Sequence, residues 1–393
     1  MTASHTSPMV WPRKLISDLF EVRAAGDIEW SRWNREQDAE HPFPVYANGR
    51  ADSGLHGYAS YAVEEGDAVT LTARGTPGEL GFAFFRASSF TPIGRLLVLR
   101  SKGEADARFF ASYINGVVRF AQENTGVAQL TAPQVTRCQV DVPPLPEQRA
   151  IAAALSVVDT LLAKLDQLIA KKRDLKQAAI QQLLTGQTRL PGFEGDWEVK
   201  RLDELGTWKG GMTPSMQNPD YWHGGTVPWI SSGDVKSVLL KQTGFSITPL
   251  AVKHGATTML PTNSIVLVTR SGILRKYLPV AMNIVPMSIN QDIKALIPAQ
   301  GFSSAFLLHA LIGSGDQILK QCLKTGTTVE SIEFRWLKAF KIPVPLRDEQ
   351  TAIAAVLSEM DAELAALEAR RDKTRALKQA MMQELLTGRT RLI

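Results

Sequence analysis

Apolar residues return every three or four positions along two separate stretches of the chain. Leu155, Val158, Leu162, Leu165 and Ile169 mark the first, and Leu357, Met360, Leu364 and Leu367 mark the second, continued by Leu377, Met381 and Leu385. Narrow seams of this kind suit helix pairing better than burial in a broad core. Each stretch is entered through a proline-rich approach, Val142-Pro143-Pro144-Leu145-Pro146 and Ile342-Pro343-Val344-Pro345-Leu346, and each ends in Leu-Leu-Thr-Gly. Proline at the start and glycine at the stop punctuate a helix. Each is therefore expected to be a helix of about 38 residues, about 57 Å long at 1.5 Å per residue.

The two stretches are copies. Residues 147–190 align without a gap on residues 349–392, with about 26 of 44 positions identical. Polar clusters interrupt both at the same place, Lys171-Lys172-Arg173-Asp174 and Arg370-Arg371-Asp372-Lys373. A long exposed helix is rarely stable alone, so the copies are expected to pair with each other. Pairing between two copies of one unit favours a local two-fold axis, which sets the helices antiparallel.

The segments before each helix also begin alike, Trp11 with Leu15 and Leu19, Trp197 with Leu202 and Leu205. Their interiors diverge. In the first, residues 68–73, 80–86 and 95–99 read as strands and 107–122 as a helix. In the second, residues 226–230, 264–269 and 278–284 read as strands and 304–323 as a helix. Strand runs followed by a helix predict an α+β class. The expected organisation is a first globular domain over 1–142, a first long helix over 143–190, a second globular domain over 191–346 and a second long helix over 347–393.

Candidate chemistry gathers at two strand ends, Thr72-Ala73-Arg74-Gly75-Thr76 and Val268-Thr269-Arg270-Ser271-Gly272. Arginine, hydroxyls and glycine on a strand-exit loop can approach a phosphate or a base edge closely; a plain surface turn is the competing reading. Asn48, Arg50, Thr125 and Gln129 complete the first half's candidates for DNA contact. Thr213, Ser215, Ser231, Ser232, Lys236, Arg275, Lys276, Thr325 and Thr327 complete the second half's.

Charge changes this picture by half. The whole chain carries 44 Lys+Arg against 39 Asp+Glu, a net +5. Residues 1–142 hold about 14 basic and 16 acidic groups, and residues 191–346 about 15 and 11. The second half is the better polyanion surface; the first would need a local patch such as Arg74, Arg86 and Arg95. No apolar run reaches the ~18 residues of a membrane span, and residues 1–10 lack a signal-peptide pattern, so a cytoplasmic location is expected. Two cysteines cannot build a disulfide framework or a cysteine zinc site.

Enzyme motifs are faint. Asn218-Pro219-Asp220-Tyr221 departs from the Asn-Pro-Pro-Tyr of amino-methyltransferases and reads better as a turn. Pro219-Asp220 followed by Asp234-Val235-Lys236 could mimic the carboxylate metal site of a PD-(D/E)xK-like nuclease. A phosphate-binding Gly-Lys-Ser/Thr loop is missing, and the six histidines are scattered. No catalytic residue, metal ligand or cofactor site is expected. A coiled-coil scaffold that binds protein remains a third reading.

With the repeat, the Leu-Leu-Thr-Gly ends and Pro-Leu-Pro-Glu-Gln (residues 144–148) in view, the chain resembles a type I restriction–modification specificity subunit. Gly210-Gly211-Met212-Thr213-Pro214-Ser215 and Trp229-Ile230-Ser231-Ser232-Gly233-Asp234 resemble the start of that family's recognition domains; residues 24–40 lack such a stretch. The resemblance implies a non-catalytic subunit with two target-recognition domains on a pseudo-two-fold antiparallel coiled coil. Each domain would read one half of a bipartite double-stranded DNA target, and the helix pair would set the gap. Two methyltransferase subunits would bind it, and restriction–translocase subunits would join through that core.

Overall fold

The computed structural model describes residues 11–75, 78–120, 128–324 and 329–392. Both repeats are single helices of 39 residues, Leu145–Leu183 and Arg347–Leu385. At 1.5 Å per residue each is about 58 Å long. Among the described residues, no helix is long and apolar enough to cross a membrane.

The chain forms two compact units, residues 1–166 with 369–393, and residues 167–368. Each holds a part of both long helices. In the first, Lys378 pairs with Asp159 at 2.5 Å and Arg371 reaches Asp166 at 3.9 Å. In the second, Lys172 pairs with Glu363 at 2.7 Å, and Lys176 with Asp361. Rising numbers on one helix meet falling numbers on the other, so within each unit the helices run antiparallel.

In the first unit a four-stranded antiparallel sheet runs in the order Phe20–Ala24, Leu97–Ser101, Ala68–Leu71, Ala83–Arg86. Helix Ala107–Gly116 covers it, burying Phe109, Phe110 and Tyr113 against Leu71, Leu97 and Leu99. Ile151, Ala152, Leu155, Leu385 and Leu386 of the long helices complete the same core. A second sheet pairs Phe43–Tyr46 antiparallel with Leu55–Ala59 and parallel with Thr91–Pro92.

The second unit repeats this plan. Gly206–Gly210, Ile293–Pro298, Ile265–Val268 and Val280–Asn283 lie in the matching order, with Leu239–Leu240 added at one edge. Val227–Ile230 pairs parallel with Met287–Ile289, as Phe43–Tyr46 does with Thr91–Pro92. The divergent interiors thus share one α+β topology.

Three expectations shift. The helix expected over 107–122 ends at Gly116, where an added side chain would meet Leu386 and Met382. The helix expected over 304–323 is two, Ser304–Gly313 and Gly315–Cys322, because Gly313-Ser314-Gly315 is poor in helix formers and Gly313 lies against Ile180 and Leu184. In the second seam, Leu377 is 56% exposed while Thr374 turns inward, buried.

The repeated Glu-Gln explains how each long helix grips its unit. Glu147, buried, accepts from Trp11 Nε1 at 3.3 Å and Arg391 at 2.6 Å. Glu349, also buried, accepts from Trp197 Nε1 at 3.1 Å and Arg189 at 2.7 Å. Gln148 Oε1 accepts from Asp106 N, at the cap of helix Ala107–Gly116, and Gln350 Oε1 accepts from Ser303 N, at the cap of helix Ser304–Gly313, both at 2.8 Å. The terminal glycines Gly186 (φ +73°) and Gly388 (φ +70°) take the left-handed conformation that stops a helix and lie on Trp197 and Trp11.

Candidate nucleic-acid interface

In the second unit the strand-exit residues Thr269 and Arg270 line an open cleft of about 570 Å³ with Gln291, Lys294, Lys324, Ser331, Glu333 and Phe334. Thr269 N and Arg270 N donate to Asp292 O at 2.8 and 3.2 Å, and Ile332 N donates to Thr269 O at 2.8 Å. Thr269 Oγ1 is turned inward onto Asp292 O at 3.0 Å, so it shapes the cleft. Arg270 is exposed. Lys324 is paired with Glu333 at 3.1 Å, while Lys294 lies over the Phe334 ring at 5.7 Å.

The glycine pair of Gly210-Gly211-Met212-Thr213-Pro214-Ser215 has a steric reason. A Cβ on Gly211 would stand 2.0 Å from Ile289 O. Only glycine lets the loop press that closely, with Met212 N donating to Ile289 O at 3.1 Å. Thr213 is thereby carried to Gln291, donating from Oγ1 to Oε1 at 2.6 Å.

The first unit builds the corresponding corner differently. Arg74–Gly75 pairs with Ala128–Gln129, setting Arg74 opposite Gln129. Leu130 N donates to Ala73 O at 2.8 Å, as Ile332 N does to Thr269 O. Ala73 N and Arg74 N donate at 2.7 and 3.2 Å to the side-chain Oδ1 of Asn48, which takes the place of the Asp292 carbonyl. Asn48 Nδ2 donates to Gly94 O at 2.5 Å. Asn48 Oδ1 is thus used up within the protein, and the side chain positions Arg74. Arg50 stacks over Phe82 at 3.8 Å. Arg86 is buried over Tyr46, donates to Thr70 Oγ1 at 2.8 Å and does not join a surface patch; burial pulls its guanidinium down to about 10, still protonated at neutral pH.

Several other candidates lie apart or are engaged elsewhere. Ser231 Oγ donates to Asp234 Oδ2 at 2.6 Å, closing a turn. Arg275 is paired with Glu330, and Ser271 accepts from Ile273 N at 3.4 Å, capping the short turn that holds Arg275. Lys236 lines a different cavity, about 590 Å³, with Leu239, Met282, His309 and Asp361. Ser215, Ser232 and Lys276 are absent from the cleft lining. Thr76, Thr125, Thr325 and Thr327 lie outside the described residues. Gln291 and Lys294 were not flagged by motif; their signal is an Asn290-Gln291-Asp292 turn between two strand runs.

The nuclease-like pair does not form a metal site. Asp234 accepts from Ser231 N and Gly244 N at 2.8 Å each. Burial raises its carboxyl, but the bonds from Ser231 and Gly244 outweigh this and hold it below the usual range. Among the described residues, no group of His, Cys, Asp and Glu could hold a metal ion.

Two modules of one α+β topology, each presenting an exposed arginine at a matched strand exit and each gripped by a repeated long helix, define a duplicated two-module protein. Residues 9–172 and 194–375 match the family model described as type I restriction modification DNA specificity domain, and the chain belongs to that family. It is 42% identical over 168 residues to a type I restriction enzyme specificity subunit of Escherichia coli, covering 43% of this chain and 42% of that protein. It is 32% identical over 169 residues to one from Methanocaldococcus jannaschii, covering 42% and 38%. The matches therefore span about four tenths of these relatives. The crystal structure of a type I restriction-modification S subunit from M. genitalium superposes with a TM-score of 0.67 at 15% identity, covering 97% of both chains, a likeness of fold.

Proposed function

We propose that the chain is the non-catalytic, DNA-recognition subunit of a type I restriction–modification complex. Residues 1–142 and 191–346 are its target-recognition domains, and 143–190 and 347–393 its conserved helices. Each domain reads one half of a bipartite duplex target, and the helices set the gap. A span of about 58 Å corresponds to roughly 17 base pairs at 3.4 Å each. The observation that carries this reading is the recurrence of one strand order and one strand-exit arginine, Arg74 and Arg270, in both units.

Two methyltransferase subunits dock on the helices, and restriction subunits join through them. Val157 (69% exposed), Leu175 (48%) and Leu377 (56%) supply apolar surface for that docking, whereas Leu183, Leu184, Leu385 and Leu386 are core residues. The protein acts in the cytoplasm, where its target is. Duplex selection from a random library tests the reading. Salt-sensitive binding to two short motifs at fixed separation supports it. Methyl transfer or cleavage by the isolated chain overturns the non-catalytic assignment.

A further inference from the structure

We infer that the turn joining two matched strands in each unit reads a base directly, with Arg95 at its tip selecting guanine in one half-site and Gln291 selecting adenine in the other; this rests on the DNA-reading assignment above. The turns are equivalent. One joins Thr91–Pro92 to Leu97–Ser101, the other Met287–Ile289 to Ile293–Pro298. Each is bonded to its strand-exit arginine loop, through Asn48 bridging Gly94 and Arg74 in one unit and through Asp292 O and Arg270 N in the other. A tip residue therefore stands beside an exposed cation suited to phosphate.

Arg95 occupies the left-handed region at φ 65°, next to Gly94 at φ 65°. A non-glycine residue is strained there, and glycine would fit without strain. Its side chain is exposed, and among the described residues no carboxylate pairs with it. Nothing inside the fold explains an arginine at this position, whereas its planar fork matches the O6 and N7 acceptors of guanine.

Gln291 is exposed at the other tip. Asn290 Oδ1 accepts from Asp292 N at 3.1 Å and ties the turn, while Thr213 holds Gln291 Oε1 at 2.6 Å. One lone pair on Oε1 and both Nε2 hydrogens remain, the acceptor and donor pair that matches adenine N6 and N7. Thr213 is a positioning residue, and the glycine pair before it exists to deliver it.

Selection from a randomised duplex library with the full chain tests this. Arg95→Gly is expected to lose guanine preference at one position of one half-site by about tenfold or more. The other half-site stays unchanged, and the unfolding midpoint is not lowered. Gln291→Arg is expected to change the preferred base from adenine to guanine at one position of the other half-site, and Thr213→Val to blur preference there alone. Unchanged preference in both tip variants overturns the inference, as does a uniform loss across all sequences, which marks a phosphate contact. A wild-type chain without sequence preference sinks the DNA-reading assignment and the inference with it.

Discussion

Arg270 stands exposed in a cleft with Lys294, and both lack a carboxylate partner among the described residues. Replacing it by alanine is expected to weaken duplex binding about tenfold and flatten its salt dependence, read by fluorescence anisotropy at two salt concentrations. Unchanged affinity and site preference remove it from the interface. Glu147 makes the opposite kind of contribution. It is buried with Arg391 about a quarter exposed, so Arg391→Ala leaves a carboxylate held by Trp11 Nε1 but without its ion-pair partner, and is expected to cost about 2 kcal/mol in urea unfolding. His309 is buried, and burial pulls its imidazole down to about 4 from 6.5. The unfolded chain then binds the extra proton between those values, so stability falls as pH drops from 6.5 towards 4. Wild type is expected to lose roughly 2 kcal/mol more than His309→Gln between pH 7 and pH 5. Equal losses would contradict this. The exposed strand-exit placement of Arg74 and Arg270 is legible from sequence position alone. The internal hydrogen bonds of Asn48 and Ser231 are not, because a side chain that caps a neighbouring backbone and one that contacts a ligand look alike in sequence.

At the scale of elements, the long helices were nearly complete in the sequence, since periodicity, proline entry and glycine exit are local signals. The short strands were found where buried on both faces, as in Ile265–Val268, whose four residues are all buried. Most of the second sheet in each unit has no such signal, because strands such as Trp33–Asn34 and Met259–Leu260 carry two residues and no periodicity; Val227–Ile230 is the strand of it that the sequence shows. The break at Gly313-Ser314-Gly315 joins poor helix formers to the close packing of Gly313 on the first long helix, and the second of these is a tertiary feature. Leu175 is half exposed and lies outside the apolar core of its unit. Leu175→Glu is expected to leave the unfolding midpoint within about 0.5 kcal/mol of wild type and to abolish co-purification with the methyltransferase subunit proposed to dock there. Retained co-purification rejects that docking face.

For the whole molecule, the duplicated frame was visible as self-similarity, while the common topology of the divergent interiors appears only in three dimensions. Hydrophobic patterning specifies where a strand lies, but the order of strands in a sheet depends on contacts distant in sequence. On the proposed reading, two copies of one module on two copies of one helix address a bipartite target with a set gap. Inserting about four residues at matched places in both helices, near residues 168 and 370, adds about 6 Å to each. The most direct measurement is the gap between recognised half-sites before and after this insertion, obtained by duplex selection with the full chain. Longer spacing between two unchanged motifs is the predicted result; an unaltered gap, or one continuous motif in place of two, contradicts the account.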